Sequence, residues 1–224
     1  MRSALIERAK LTQYEADGPS SIVRIMASKP SIPPPEATLH ALVEWLKAEN
    51  VPGLIIGGVA ASLLGRPRFT QDVDALISLD EQRWERFLSA GARFGLTPRI
   101  SDALDFARKS RVFLLHHQPT GIHVDIALAG LPFEEEAIQQ VKLRRIGKLI
   151  LPLPTPENLI IMKAIAHRPQ DMADISALAN ANPRLDQRRI HRWVDEFSRA
   201  LDMPDILSDL DKILSDARKR KPRK

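Results

Sequence analysis

The sequence predicts a mixed α/β fold of the α+β kind, in which helices flank a small mixed β-sheet and a helical region follows it. Three observations lead to this prediction. An apolar run at 54–56 ends in paired glycines before a helical pattern, two apolar segments flank a turn at 118–121, and helical periodicity dominates after residue 155. Strands alternating with helices favour a sheet that is covered by helices.

Four segments are predicted along the chain. Residues 1–35 form an N-terminal extension that ends in prolines, and residues 36–154 form the α/β core. Residues 155–216 form a helical region, and residues 217–224 form a basic tail. The chain is long enough for one full core and a smaller helical addition.

The composition is that of an ordinary globular protein. The 224 residues are 44% hydrophobic and 27% charged, with no cysteine and a net charge of +5. The absence of cysteine excludes disulfides, thiolate catalysis and cysteine zinc sites. No membrane span or signal peptide is predicted, so we expect a cytoplasmic location. Six of the last eight residues are basic, which predicts either a solvated tail or an arm that faces nucleic acid.

The core is predicted to begin with an amphipathic helix over residues 36–50 and a buried strand at 54–56. Gly57 and Gly58 follow the strand, and a helix is predicted over 59–64. Glycine permits positive φ and the close approach of a ligand to the backbone. The N-terminus of the helix would direct N–H groups at an anion such as phosphate. A simple turn at the strand end is the open alternative.

A second strand is predicted over residues 72–77, and it carries two carboxylates. Side chains alternate along a strand, so Asp72 and Asp74 share one face. Adjacent carboxylates repel each other, and a hard divalent cation removes that repulsion. A solvated edge strand is the alternative. A phosphate cradle followed by a metal-binding pair predicts chemistry on a nucleoside triphosphate.

A helix capped by Asp80 is predicted to run to about residue 92, and a hairpin of 111–116 and 122–128 follows. The second strand of this hairpin places Asp125 among apolar neighbours. A carboxylate there is costly unless it is paired or binds a metal, so Asp125 is the predicted third metal ligand. Another hairpin is predicted over 140–153.

The helical region opens at Thr155, the predicted N-cap, with Pro156 in the first helical position. Lys163 lies on this helix, either in solvent or against phosphate. Three charged residues follow at spacings of three, and we interpret them first as an ion network between helices: Arg168, Asp171 and Asp174. Further helices are predicted over 186–201 and 204–217.

Together these motifs resemble the nucleotidyltransferase superfamily of the DNA polymerase β type and, within it, the AbiEii-type toxins of toxin–antitoxin systems. The resemblance covers about residues 37–180. It rests on the paired glycines, on Arg68-x-Thr70-x-Asp72-x-Asp74, on Val124-Asp125-Ile126, and on the charged residues of the helical region.

The resemblance implies a magnesium-dependent enzyme that binds a nucleoside triphosphate such as ATP. It would transfer the nucleoside monophosphate to an acceptor hydroxyl and release pyrophosphate. The implied catalytic residues, which would hold two Mg²⁺ ions, are Asp72, Asp74 and Asp125. The implied phosphate-binding residues are Gly57, Gly58, Ser62, Arg68 and Lys163. The implied supporting residues are Arg66, Arg168, Asp171 and Asp174.

Two positions depart from the pattern of the family. Gly58 stands where many members have serine, and Gln170 stands where many relatives of the subgroup have lysine. These departures leave the phosphate contacts and the choice of acceptor open, but they remove no metal ligand.

The implied acceptor is an RNA, with tRNA the first choice, and the implied partner is an antitoxin protein. A sequence pI near 9.7 and the basic tail favour RNA. The alternatives are a protein acceptor, a small-molecule acceptor of the aminoglycoside type, and a non-catalytic binding module with the same fold. A polycationic acceptor needs an acidic pocket, and no acidic cluster is evident outside the metal site. The intact Asp72, Asp74 and Asp125 argue against a binding module.

Overall fold

The structure is a computed structural model that describes residues 34–219. Within this range nine α-helices accompany a five-stranded sheet and a separate two-stranded sheet. The predicted extension before residue 34 and the tail after residue 219 lie outside the described residues. Among the helices of this range, not one combines the length and the apolar character that crossing a bilayer requires.

The chain alternates between helices and strands up to residue 153 and is helical thereafter. The strands are β1 (Gly53–Ile56), β2 (Val73–Ile77), β3 (Leu96–Pro98), β4 (Val112–His117), β5 (Ile122–Leu128), β6 (Lys142–Ile146) and β7 (Leu149–Leu153). The helices are α1 (Pro34–Ala48), α2 (Gly57–Leu64), α3 (Trp84–Gly91), α4 (Ala103–Ser110), α5 (Pro132–Gln139), α6 (Pro156–Ala166), α7 (Pro169–Ala181), α8 (Gln187–Leu201) and α9 (Asp205–Lys219).

The main sheet is mixed, which confirms the predicted fold class. Its strands lie in the order β1-β2-β5-β4-β3. Strands β2 and β5 are parallel, and every other neighbouring pair is antiparallel. The parallel pair places Asp74 beside Asp125, and the antiparallel pair places Ile56, the last residue of β1, on the other side of Asp74.

Most predicted elements are present, with three differences. Strand β3 and helix α4 were not predicted, because a three-residue edge strand that ends in proline carries almost no periodic signal. The prediction that Asp80 caps a long helix is wrong. Its side chain caps nothing, and a 3₁₀ turn at Glu81–Arg83 precedes α3. Strand β2 begins at Val73, so Asp72 lies just before it.

The two faces of the sheet are buried differently. Alternate residues of β2, among them Val73 and Ile77, enter the main core, where Trp45 and Phe87 stack with ring centroids 4.0 Å apart. Leu76 lies on the opposite face, in a smaller apolar cluster against which Met162 of α6 packs. Because side chains alternate along a strand, Asp74 shares the face of Leu76 and points to the side of the sheet where α6 lies.

The C-terminal helices pack on this side of the core. Helix α6 contacts α2, α7 and α8, and α7 also contacts α2. An aromatic cluster joins α5 to α8, with the Phe133 ring edge-on to Trp193 and Phe197 at centroid distances of 5.3 and 5.7 Å. Thr155 accepts a hydrogen bond from the Asn158 backbone N–H at 3.2 Å, so the predicted cap of α6 is confirmed.

Candidate active site

Two of the three predicted metal ligands are neighbours in the sheet. Asp74 of β2 and Asp125 of β5 occupy paired positions on parallel strands, although 51 residues separate them in sequence. Neighbouring strands lie about 4.7–4.9 Å apart, so side chains at paired positions of one face are close neighbours. Two carboxylates therefore stand side by side where β2 and β5 cross the middle of the sheet.

The chain turns over Asp74 at Gly57. This glycine has φ +62°, in the left-handed region, as the sequence predicts for the paired glycines. A Cβ on Gly57 would overlap Asp74 Oδ2 and lie 2.5 Å from Asp74 Cγ. Glycine is required here both for the turn and for the contact with the carboxylate. The Gly58 N–H, predicted to bind phosphate, donates a hydrogen bond to Asp74.

Gly58 differs from Gly57, since its φ is not positive and only side chains lie close to it. A Cβ at this position would lie 2.6 Å from Thr70 Oγ1 and 3.1 Å from Arg68 Nη2. The loop that follows α2 folds back over the first turn of the helix and brings these two side chains onto Gly58. Ser62 fixes the loop, because its hydroxyl bonds the Arg68 backbone N–H at 3.2 Å and the Arg68 carbonyl at 3.3 Å.

Burial controls the charge state of Asp74. Loss of solvent raises the pKa of this carboxyl above its ordinary value, and the nearby Asp72 raises it further. The positive charges of Lys163 and Arg168 and the hydrogen bond from Gly58 oppose the rise without cancelling it. A buried carboxylate of raised pKa gains strongly from a cation, which supports a ligand role for Asp74.

Asp72 is more open than its partner. Its side chain is 53% exposed, and its Oδ1 lies 3.9 Å from Nδ1 of His123 on β5. His123 and Asp125 are two residues apart on one strand, so they share the face that carries the carboxylates.

Arg99 pairs with Asp125, the third predicted metal ligand. The sequence did not indicate this contact. Its Nη2 donates to Asp125 Oδ1 at 2.6 Å, and its Nη1 lies 2.9 Å from His123 Nδ1. Arg99 directly follows β3, and its backbone N–H bonds the Leu114 carbonyl of β4. Strand β3, which was not predicted, therefore positions this guanidinium at the site.

Lys163 belongs to a buried ion network. Its side chain is 5% exposed, and Nζ lies 2.7 Å from Asp171 Oδ1 and 2.8 Å from Asp174 Oδ2. This burial excludes a solvated lysine. Arg168 Nε bonds Asp171 at 2.7 Å. The Arg68 guanidinium donates two parallel hydrogen bonds to the Asp174 carboxylate, of 2.9 and 3.0 Å.

The network lies against the site and connects its parts. Arg68 comes from the loop over Gly58, whereas Asp174 comes from α7, so this ion pair ties the glycine turn to the helical region. Burial raises the pKa of Asp174, but hydrogen bonds from Arg68 and Lys163 outweigh it, and the net pKa is lowered. Arg66, the remaining predicted supporting residue, is exposed on the same loop.

The donor set fits a hard divalent cation at Asp72 and Asp74. Carboxylate oxygens are the ligands that Mg²⁺ prefers, and Asp74 lacks a full counter-charge. Among the described residues, no three His, Asp or Glu side chains already converge on one point. Asp125 is ion-paired with Arg99 through Oδ1, so a metal at Asp125 would compete with that guanidinium.

The fold was compared with solved structures. The solution structure of the antibiotic-resistance factor ANT(2″)-Ia aligns over 76% of this chain and 95% of its own, with a TM-score of 0.52 and 17% identity. This chain has a nucleotidyltransferase-like fold. No family model and no curated protein matches the sequence.

Two further structures with the nucleotidyltransferase-like fold align less well. An antigenic nucleotidyltransferase-like protein from Paracoccidioides brasiliensis aligns over 78% of this chain and 90% of its own, with a TM-score of 0.48 and 17% identity. A crystal structure of ANT(2″)-Ia in complex with adenylyl-2″-tobramycin aligns over 83% of this chain and 98% of its own, with a TM-score of 0.41 and 18% identity. Identities this low concern the fold alone.

Proposed function

We propose that this protein is a magnesium-dependent nucleotidyltransferase that moves a nucleoside monophosphate from a nucleoside triphosphate to a hydroxyl of an RNA. The observation that carries the proposal is the pairing of Asp74 and Asp125 on adjacent strands, with Asp74 directly beneath the turn at Gly57. Carboxylates beside a helix N-terminus bring together a cation site and an anion site, as a metal-bound triphosphate requires.

The reaction is a displacement at the α-phosphorus. The acceptor oxygen forms a bond to this phosphorus, the bond to the bridging oxygen of the β-phosphate breaks, and pyrophosphate leaves with that electron pair. Asp125 accepts the proton of the attacking hydroxyl. Asp72 and Asp74 would hold Mg²⁺, which supplies charge stabilisation to the attacking and leaving oxygens when bound.

The surrounding residues position the triphosphate. Backbone N–H groups of the first turn of α2 face the phosphates, and Arg68 supplies positive charge from the loop above them. Lys163, locked between Asp171 and Asp174, holds the helical region in place and contributes its charge to the site. Direct phosphate binding by Lys163 stays a prediction.

The biological role proposed is that of an AbiEii-type toxin that modifies tRNA in the cytoplasm and is neutralised by an antitoxin protein. The resemblance of the sequence motifs supports this role. The basic character of the chain suits a polyanionic acceptor.

The test is radiolabel transfer. The full chain is incubated with magnesium, each α-labelled nucleoside triphosphate in turn, and a mixture of total RNA and cell protein; the Asp72→Ala/Asp74→Ala double variant is the control. We expect label on RNA of tRNA size, lost in the variant. Label on a protein band would overturn the RNA acceptor. No transfer to any acceptor and no calorimetric binding of nucleotide with magnesium would overturn the enzyme.

A small-molecule acceptor is the second candidate, because the fold resembles that of an antibiotic-resistance factor. The same assay with an added aminoglycoside decides between them. Arg66, which is exposed on the loop over Gly58, repels a polycationic acceptor, so we expect RNA to be labelled in preference.

A further inference from the structure

A hairpin beside the site carries positive charge that the proposed chemistry does not use. Strands β6 and β7 pair with each other, apart from the main sheet, and all five residues of β6 are exposed. Lys142, Arg144, Arg145 and Lys148 lie on this hairpin. No acidic residue occurs between positions 137 and 154. Clustered positive charge does not stabilise a strand that is exposed to solvent, whereas it attracts a polyanion.

The hairpin is fixed against the active-site helix. Arg144 Nη1 donates to the Leu63 carbonyl in the last turn of α2 at 3.0 Å. Strand β7 anchors the hairpin through three buried side chains, those of Leu149, Leu151 and Leu153. The tip of the hairpin is therefore held at a defined position relative to Gly58.

A cavity of about 360 Å³ lies between this tip and the loop over Gly58. Ile146 lines one side of the cavity, and Phe69 and Thr70 line the other. Phe69 is 79% exposed, although aromatic rings are normally buried. Thr70 is also the residue that covers Gly58, so this end of the cavity adjoins the turn over Asp74.

An exposed aromatic ring beside a row of cations is the arrangement by which proteins bind single-stranded nucleic acid. Bases stack on the ring, and Lys or Arg side chains bind the phosphates. Glu36, an acidic residue in the cavity wall, can accept a hydrogen bond from the amino group of a base. An acidic peptide would satisfy the cations but gives Phe69 no comparable role.

We infer that the β6–β7 hairpin and the loop over Gly58 form the surface that binds the acceptor, a single-stranded RNA end. Phe69 stacks on a base in the cavity, and Lys142, which shares the face of Ile146, and Lys148 at the tip bind phosphates. This inference rests on the proposed nucleotidyl transfer to RNA and names the surface that selects the acceptor.

Direct binding tests the surface without turnover. Fluorescence anisotropy follows a 5′-labelled single-stranded RNA dodecamer with the full chain, in EDTA and without nucleotide, at several salt concentrations. Lys142→Ala/Lys148→Ala should weaken binding and reduce the salt slope by about 1.4, at about 0.7 for each phosphate contact on a single strand. Phe69→Ala should weaken binding about 5- to 150-fold and leave the salt slope unchanged.

The matched control removes two positive charges elsewhere. Arg86 and Lys109 are exposed on α3 and α4, which pack near β3 and β4. Arg86→Ala/Lys109→Ala should bind RNA like the wild type. Equal losses for the two double variants, or an unaffected Phe69→Ala, would overturn the inference. Polyglutamate binding that depends on Lys142 and Lys148 but not on Phe69 would also overturn it, in favour of an acidic protein partner.

The Asp72→Ala/Asp74→Ala variant separates this inference from the proposed function. It should bind the RNA dodecamer like the wild type while transferring no label. RNA binding at the hairpin without any transfer by the wild type would refute the enzyme and leave the surface. Transfer that does not respond to the hairpin variants would refute the surface and leave the enzyme.

Discussion

Gly57→Ala adds a single methyl group at the point where the chain crosses Asp74. The new Cβ would overlap Asp74 Oδ2, and it would have to adopt φ +62°. The carboxylate would therefore be displaced from beneath the turn, or the turn would open. Either movement separates the two halves of the proposed site, which are the first turn of α2 and the paired carboxylates.

The expected loss in the free energy of unfolding has two parts. A residue with a Cβ in the left-handed region costs about 1–2 kcal/mol. Displacing Asp74 breaks its hydrogen bond from the Gly58 N–H inside the protein, which costs about 1–3 kcal/mol more. We expect the free energy of unfolding to fall by about 2–5 kcal/mol in total.

Gly121→Ala is the matched control. Gly121 has φ +71° in the turn between β4 and β5, and a Cβ there would meet no atom within 4 Å. This variant should show only the backbone term, about 1–2 kcal/mol, and should keep nucleotide binding. Urea unfolding of the two variants, with calorimetric binding of nucleotide and magnesium, measures the difference. Equal losses of stability, with nucleotide binding kept in both, would refute the contact between Gly57 and Asp74.

Three further predictions concern the ion pairs around the site. Lys163→Met leaves Asp171 and Asp174 buried with one cation fewer, so urea unfolding should show a loss of about 3–5 kcal/mol. The pKa of Asp174 is lower in the folded protein than in the unfolded chain, where it is about 3.9. The ion pairs of Asp174 therefore stabilise the protein fully at pH values above about 3.9. This stabilisation is lost as the pH falls through the pKa of Asp174 in the folded protein. Asp174→Asn should therefore cost about 1–3 kcal/mol near neutral pH and progressively less in acid. Arg99→Ala removes one positive charge from beside Asp125, so calorimetry should show about 5- to 150-fold tighter Mn²⁺ binding.

Each of these predictions has a control variant or a result that would contradict it. Lys212→Met removes an exposed lysine from α9 and should leave stability within about 0.5 kcal/mol of the wild type. A pH-independent cost of Asp174→Asn would contradict the ion pairs with Arg68 and Lys163. Arg99→Lys keeps the positive charge and should bind Mn²⁺ like the wild type; equal tightening in both Arg99 variants would contradict the electrostatic explanation.

Local sequence patterns are sufficient to predict most of the secondary-structure elements and the candidate carboxylates. Apolar runs of four to seven residues bounded by Gly, Pro or Asp gave β1, β2, β4 and β5, because alternation and turn residues are local signals. Period-two alternation placed Asp74 and Asp125 on strands, and the positive φ of Gly57 followed from its place at a strand end. The cap at Thr155 is equally local.

The contacts of these residues depend on how distant elements pack together. The register that pairs Asp74 with Asp125 joins positions 51 residues apart, and no local pattern encodes it. Arg99 reaches Asp125 from a strand too short to be predicted, and Lys163 is buried between two aspartates rather than solvated. The exposure of Phe69 beside the basic hairpin likewise depends on how a loop and a distant hairpin pack on α2. Such contacts form because the whole core is close-packed, and sequence spacing does not set distances between elements that are brought together by packing.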